Sequence, residues 1–276
     1  MFEKFARSWS LVKASAAVLR SDKELLLFPM LSGIAAMLVF ASFILPMFAL
    51  RVFEHGIGVL GAAWGFLFYL CLYFVIFFFN AALVSAAIIR LEGGDPTLAD
   101  GFRAARARLL PILGYAAIAA TVGLLLQSLK NRDNNFLVRM LGSGLGVAWT
   151  LSTFLVVPVL VQQNVGPIDA IKESVALLKR TWGENAIGNV GLGAVFGLVS
   201  VLLFVFAAVL VVAAFSISAT LALTLAILAV LALVVLAVVQ SALSGIYSAA
   251  LYRYATVGEA PVGFEGTNLQ RAFAPK

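Results

Sequence analysis

The chain has 276 residues, 63% of them hydrophobic and 12% charged, with 19 Lys and Arg against 13 Asp and Glu for a net charge of +6. Soluble domains carry about 45–50% apolar and about 25% charged residues, so an ordinary water-soluble fold is excluded. One cysteine, Cys71, and one histidine, His55, leave little with which to build a metal site or an activated nucleophile.

A helix needs about 20 apolar residues to cross about 30 Å of hydrocarbon. Charges persist through Arg20, Lys23 and Glu24 before the first long apolar run, so that run is read as an uncleaved span and not as a signal peptide. It extends from Leu25 to Leu50, and a second runs from Gly56 to Ile89. Leu109 to Gln127 makes a third and Met140 to Gln162 a fourth, separated by the polar break at Lys130 to Asn135. The final charge-free stretch, Asn185 to Tyr252, is too long for one crossing. Its interruption at Phe215-Ser216-Ile217-Ser218 divides it into spans of about Asn189 to Ala214 and Ala219 to Ala250.

Cytoplasmic loops retain positive charge. One side of the six-span arrangement holds Lys4, Arg7, Lys13, Arg20, Lys23, Arg90, Arg103, Arg106, Arg108, Lys172, Lys179, Arg180, Arg253, Arg271 and Lys276, fifteen in all. The other holds Arg51, Lys130, Arg132 and Arg139. Both termini are therefore expected in the cytoplasm, and the basic pI follows from topology. No basic stripe interleaved with aromatics suggests a nucleic-acid partner.

The segments on the basic side read as amphipathic helices lying in the membrane interface. Before span 3, Leu98, Phe102, Ala105 and Leu109 recur at helical spacing, and Thr97 with Asp100 reads as a capping box. Before span 5, Ile168, Ile171, Val175, Leu178 and Trp182 recur likewise; before span 1, Phe2, Phe5, Trp9, Val12 and Leu19 form a looser stripe. Three segments share a frame of apolar, basic, any, small, any, Ala, any, Leu: Val12 to Leu19, Phe102 to Leu109, and Ile171 to Leu178. Each precedes a two-span hairpin. The expectation is a parallel repeat about an axis along the membrane normal, with units at about 2–90, 96–163 and 167–252.

Ser8-Trp9-Ser10-Leu11-Val12-Lys13, Val18 through Leu25 with Phe28-Pro29, and Glu173-Ser174 through Leu178-Lys179-Arg180-Thr181-Trp182-Gly183-Glu184-Asn185 carry a family likeness. On these residues the chain resembles an uncharacterised bacterial family of six-span membrane proteins, classed as a domain of unknown function, from the first helix to about Arg253. The resemblance implies a membrane fold and no particular activity. More distantly, the helix-plus-hairpin layout is similar to the membrane domain attached to some bacterial glycerophosphodiester phosphodiesterases; that likeness concerns the membrane domain, and the catalytic activity is not expected to carry over.

The six spans contain no Asp, Glu, Lys or Arg, which argues against a proton-coupled carboxylate relay. Asn80, Thr153 and Gln240 each belong to the second helix of a unit, roughly 15 Å deep at about 1.5 Å per residue, where they are able to face one another near the axis. They read either as interhelical hydrogen bonds or as the lining of a solute path. Gln162, Gln163 and Asn164 with Asn185 and Asn189 read as boundary solvation or as a polar mouth. Glycine pairs at Gly61 and Gly65, Gly142 and Gly146, and Gly193 and Gly197 suggest close helix approach within the monomer. Gly142-Ser143-Gly144-Leu145-Gly146 lacks the context of a nucleotide loop. His55 beside Glu54 and Arg51 makes no zinc site and reads as a solvated loop residue.

The sequence thus specifies an all-α integral membrane protein of six transmembrane helices as three repeats, a polytopic domain over 1–254 and a flexible cytoplasmic tail over 255–276. The expected function is non-enzymatic, with no cofactor, metal or nucleic acid. It organises or contacts lipids or other membrane components, a membrane-protein partner included, through headgroup contacts at Lys13, Arg103, Arg106, Lys172 and Arg180. The alternative is a transporter or channel for a small uncharged solute. The location is the bacterial cytoplasmic membrane. Topology reporters fused after Arg253 and within Lys130 to Asn135 are expected to read opposite sides, the first cytoplasmic; the same side for both overturns the six-span arrangement.

Overall fold

The structure is a computed structural model that describes residues 2–49, 59–131, 136–182, 191–259 and 261–264. In chain order its helices are α1 (Phe2–Ser21), α2 (Leu27–Ala49), α3 (Val59–Leu91), α4 (Leu98–Ala107), α5 (Leu109–Asn131), α6 (Phe136–Ser152), α7 (Val156–Gln162), α8 (Pro167–Trp182), α9 (Gly191–Phe215) and α10 (Ala219–Val257), with a 3₁₀ turn at Lys23–Leu26 between α1 and α2. No strand occurs among the described residues. Six stretches are long and apolar enough to cross a membrane: Lys23–Met47, Gly61–Leu91, Leu109–Ser128, Gly144–Gln162, Gly197–Phe215 and Ala219–Val257. They coincide with the six expected spans to within a few residues at most ends.

Two of the helices are longer than a crossing requires. The 33 residues of α3 and the 39 of α10 extend about 50 and 58 Å, well beyond the hydrocarbon. Their surplus lies at the basic end, where the core is concentrated. Ala81 through Ile88 of α3, Val156 through Leu160 around α7, and Ala242 through Leu251 of α10 are almost continuously buried, and these three stretches pack on one another. At the opposite end α9 and the first half of α10 bury almost nothing and present apolar side chains outward, as lipid-facing helices do.

Around this hub the amphipathic helices take fixed places. Helix α4 packs on α3, α8 on α7, and α1 on α9 and α10. Phe102 anchors α4, with its ring 5.4 Å from Phe28 and 5.7 Å from Phe79. Gly101 beside it permits the approach: a Cβ there lies 2.7 Å from the Ala82 carbonyl oxygen and 2.6 Å from the Phe28 ring. Gly245 does the same for α10 on α3, where a Cβ meets the Leu83 side chain at 2.4 Å. The expected glycine contacts lie elsewhere. Gly65, Gly146 and Gly197 have nothing within 4 Å, because they sit in the parts of the hairpins that have no helical neighbour at that face.

The fourth span is broken where a continuous helix was expected. Pro158 lacks an N–H and its ring clashes with the carbonyl four residues earlier, and the chain leaves the helix at Thr153 to Leu155 before resuming as α7. That leaves the Leu155 N–H and the Ser152 carbonyl without helical partners. Both find the Ser174 hydroxyl of α8, which accepts from Leu155 N–H at 3.1 Å and donates to Ser152 O at 2.7 Å.

The carboxyl-terminal stretch corrects one boundary. Helix α10 runs to Val257 and ends on Gly258 at φ 83°, a left-handed cap. The chain then folds back so that Phe264 is fully buried and Gly263 lies against Val18 of α1. Within the expected flexible tail, helix α10 continues to Val257 and Pro261 and Phe264 are buried, because an aromatic ring there finds a place in the core.

Ser15 of α1 is as buried as Ser174, yet its hydroxyl has no partner among the described residues. Ser174→Ala strands two backbone groups and is expected to lower stability by about 1–3 kcal/mol, whereas Ser15→Ala is expected to leave it unchanged or raise it. Denaturant titration in detergent micelles separates the two; equal losses sink the assignment.

Candidate functional site

At the basic end the helix termini are tied by polar contacts. Arg253 at the end of α10 pairs with Glu92 after α3. The Gln163 amide donates to the Tyr252 hydroxyl at 3.3 Å, and Arg108 donates to Asn164. Arg90 reaches across to Ser21 Oγ at 3.3 Å and pairs with Asp95 at 3.3 Å. Gln163 and Asn164, read from sequence either as boundary solvation or as a polar mouth, thus serve as ties between helices. Gln162 is exposed, and Asn185, Asn189 and His55 lie outside the described residues.

The five expected headgroup contacts, Lys13, Arg103, Arg106, Lys172 and Arg180, are all exposed. Two are engaged within their own helices: Arg103 with Asp100 at 2.9 Å, and Lys172 with Asp169 at 3.1 Å. Lys13, Arg106 and Arg180 make no ion pair among the described residues. The capping box that starts α4 forms as its sequence requires: Thr97 Oγ1 accepts from the Asp100 N–H at 3.3 Å and Asp100 Oδ2 accepts from the Thr97 N–H at 3.1 Å. Hydrogen bonds from Thr97 hold the Asp100 carboxyl below its ordinary range, with the Arg103 charge a lesser cause. This contribution is present above about pH 4 and is lost as pH falls through the lowered value.

The three intramembrane polar residues do not converge. Asn80 and Gln240 line one cavity of about 460 Å³ between α2, α3 and α10. Thr153 lines another, of about 440 Å³, between α3, α5 and α6. Thr153 sits just past α6 with its N–H still bonded to the Trp149 carbonyl at 3.0 Å, so the chain leaves the helix only after it. Its hydroxyl donates to the Trp149 carbonyl at 2.8 Å, and Tyr115 lines the same cavity. Asn80 and Gln240 make no hydrogen bond through their side chains among the described residues. The interhelical bonds expected of them are absent, because each amide points into a cavity instead of at a neighbouring helix.

The second cavity has a wall that was not singled out from sequence. Tyr69, Tyr73 and Phe77 stack along α3 and continue onto Tyr115 of α5, with centroids 6.3, 5.6 and 4.5 Å apart. Tyr69 donates to Gln127 Oε1 at 3.4 Å. The signal was the spacing of four between aromatic residues, which places them on one helical face.

A bundle of six apolar spanning helices with three amphipathic helices at one end defines an all-helical, multi-pass membrane protein. A model described as "Family of unknown function (DUF6159)" matches residues 59–263, and the chain belongs to that family. The matched stretch begins at α3 and ends within the segment that docks on α1. No curated protein and no solved structure matches the chain.

An interhelical hydrogen bond in a membrane contributes about 0.6 kcal/mol. Since neither amide makes one, Asn80→Leu and Gln240→Leu are each expected to leave unfolding stability unchanged or raise it. A loss of about 1 kcal/mol or more on either substitution contradicts the geometry.

Proposed function

We propose that the protein is a non-enzymatic component of the bacterial cytoplasmic membrane, both termini inside, that gathers anionic lipids around its basic end. The observation that carries this reading is the exposure of Lys13, Arg103, Arg106, Lys172 and Arg180 on the three amphipathic helices, three of them without an ion-pair partner among the described residues. Exposed apolar side chains accompany them, Ile168 on α8 and Leu110 at the start of α5, so apolar surface for acyl chains lies beside the cations that suit headgroups. Each cation near an anionic surface contributes about 1 kcal/mol.

A threefold repeat belongs to this proposal, because it distributes equivalent cations around the bundle. Two features support it. The small residue of each frame, Ser15, Ala105 and Ser174, is fully buried while the basic residue two places earlier, Lys13, Arg103 or Lys172, is exposed. Each amphipathic helix also packs on the second spanning helix of the unit before it, with α1 closing the cycle on α10. The likeness to the membrane domain attached to glycerophosphodiester phosphodiesterases concerns this layout alone. A second reading, passage of a small uncharged solute, is favoured by the charge-free cavity at Asn80 and Gln240.

Native mass spectrometry of the protein taken from mixed phosphatidylglycerol and phosphatidylcholine nanodiscs tests the lipid reading. Retained phosphatidylglycerol is expected to fall about tenfold or more when the five basic residues become Gln, since each 1.4 kcal/mol is tenfold. Equal retention of both lipids by the unaltered protein, or no change on substitution, overturns it.

A further inference from the structure

The cavity between α2, α3 and α10 is unusual for its depth. Asn80 lies ten residues from Arg90 and Gln240 thirteen from Arg253, about 15 and 20 Å along their helices from the nearest charges. Besides the two amides it is lined by Ser32, Ser241, Ser244 and Ser248. Ser248 bonds the Gly245 carbonyl of its own helix; Ser32, Ser241 and Ser244, like both amides, make no side-chain hydrogen bond among the described residues.

An amide offers two donors and an acceptor, and leaving these unmet in hydrocarbon is unfavourable by several kcal/mol. Two such groups on neighbouring helices, aimed into the same space, need an occupant. We propose that this cleft binds the uncharged polar group of a membrane lipid, its hydroxyl and ester oxygens meeting the amides of Asn80 and Gln240. The volume lies within the roughly 300–1,000 Å³ of small-molecule sites. No charged side chain lines it, so a phosphate or ammonium would enter without a counter-charge, which disfavours charged headgroups. The rim carries exposed Ile76 and Ala237, and the bounding helices present exposed Ile34, Met37, Val230 and Val234. Entry is therefore from the bilayer, with acyl chains lying on these apolar surfaces, and the occupant is a lipid in preference to a free polyol.

The inference rests on the lipid-contacting reading above but uses a different part of the molecule. The probe is diacylglycerol bearing a diazirine on an acyl chain near the glycerol, incorporated into nanodiscs with the full chain and photolysed. Label is expected on the α2, α3 and α10 segments that line the cleft. It is expected to fall about tenfold in the Asn80→Leu/Gln240→Leu double variant, which loses two hydrogen bonds of ordinary strength, and in Ser241→Phe, which fills the mouth from an exposed position. Label spread evenly around the spanning helices, or unchanged in both folded variants, overturns the proposal. Displacement by excess free glycerol overturns it also, since the occupant is then a solute. If phosphatidylglycerol retention persists through such a failure, only the cleft assignment falls; if retention fails too, the lipid reading falls with it.

Discussion

Everything at the basic end depends on how closely α3, α7 and α10 approach, and that closeness depends on side chains that are small or missing. Ala81, Ala82, Ala86 and Ala87 of α3 and Ala242, Gly245, Ala249 and Ala250 of α10 are all buried, and the two helices pack on one another. In a bilayer the lipid tails are as apolar as any leucine, so burial of apolar surface does little to drive helices together. Contact between backbones, with many small van der Waals gains, takes over that role. At Gly101 the neighbour is a carbonyl oxygen of α3, which has no rotamer by which to yield. The position of α4, and with it the exposed Arg103 and Arg106, follows from that one close approach.

The broken fourth span shows a local conflict resolved by a distant residue. Proline forces the chain out of the helix, and the two backbone groups so released are inside the bundle where water is scarce. One hydroxyl on α8 meets both. The same hydroxyl fixes where α8 sits, so a constraint that begins in Pro158 sets the place of Lys172 and Arg180 some distance along the chain. Thr153, just before the break, lines a cavity separate from that of Asn80 and Gln240.

Much of this was legible in the sequence, and the reasons differ by element. The spans were legible because a bilayer imposes a length and a composition that Lys, Arg, Asp and Glu interrupt cleanly. The Thr97 and Asp100 cap was legible because its hydrogen bonds are local. Pro158 stood in plain view, but its effect was masked by an unbroken apolar run on both sides. That Asn80 and Gln240 share a cavity without Thr153 was not readable, since which faces of distant helices meet depends on residues such as Gly245 and Leu83 and not on the amides. The docking of Phe264 was hidden for a similar reason: a single aromatic after a polar turn has no periodicity to reveal it.

One contact bears on how the molecule is made. Helix α1 packs on α9 and α10, and the segment around Gly263 closes over Val18. These partners emerge from the ribosome about 170 to 240 residues after α1, so at about 5–20 residues per second α1 waits roughly 10–50 s for them. Through that interval its buried face, Leu11, Val12, Val18 and Leu19, has no protein to cover it. The membrane surface is the one apolar environment within reach, and the amphipathic pattern of α1 lets it rest there until synthesis brings α10 to its side.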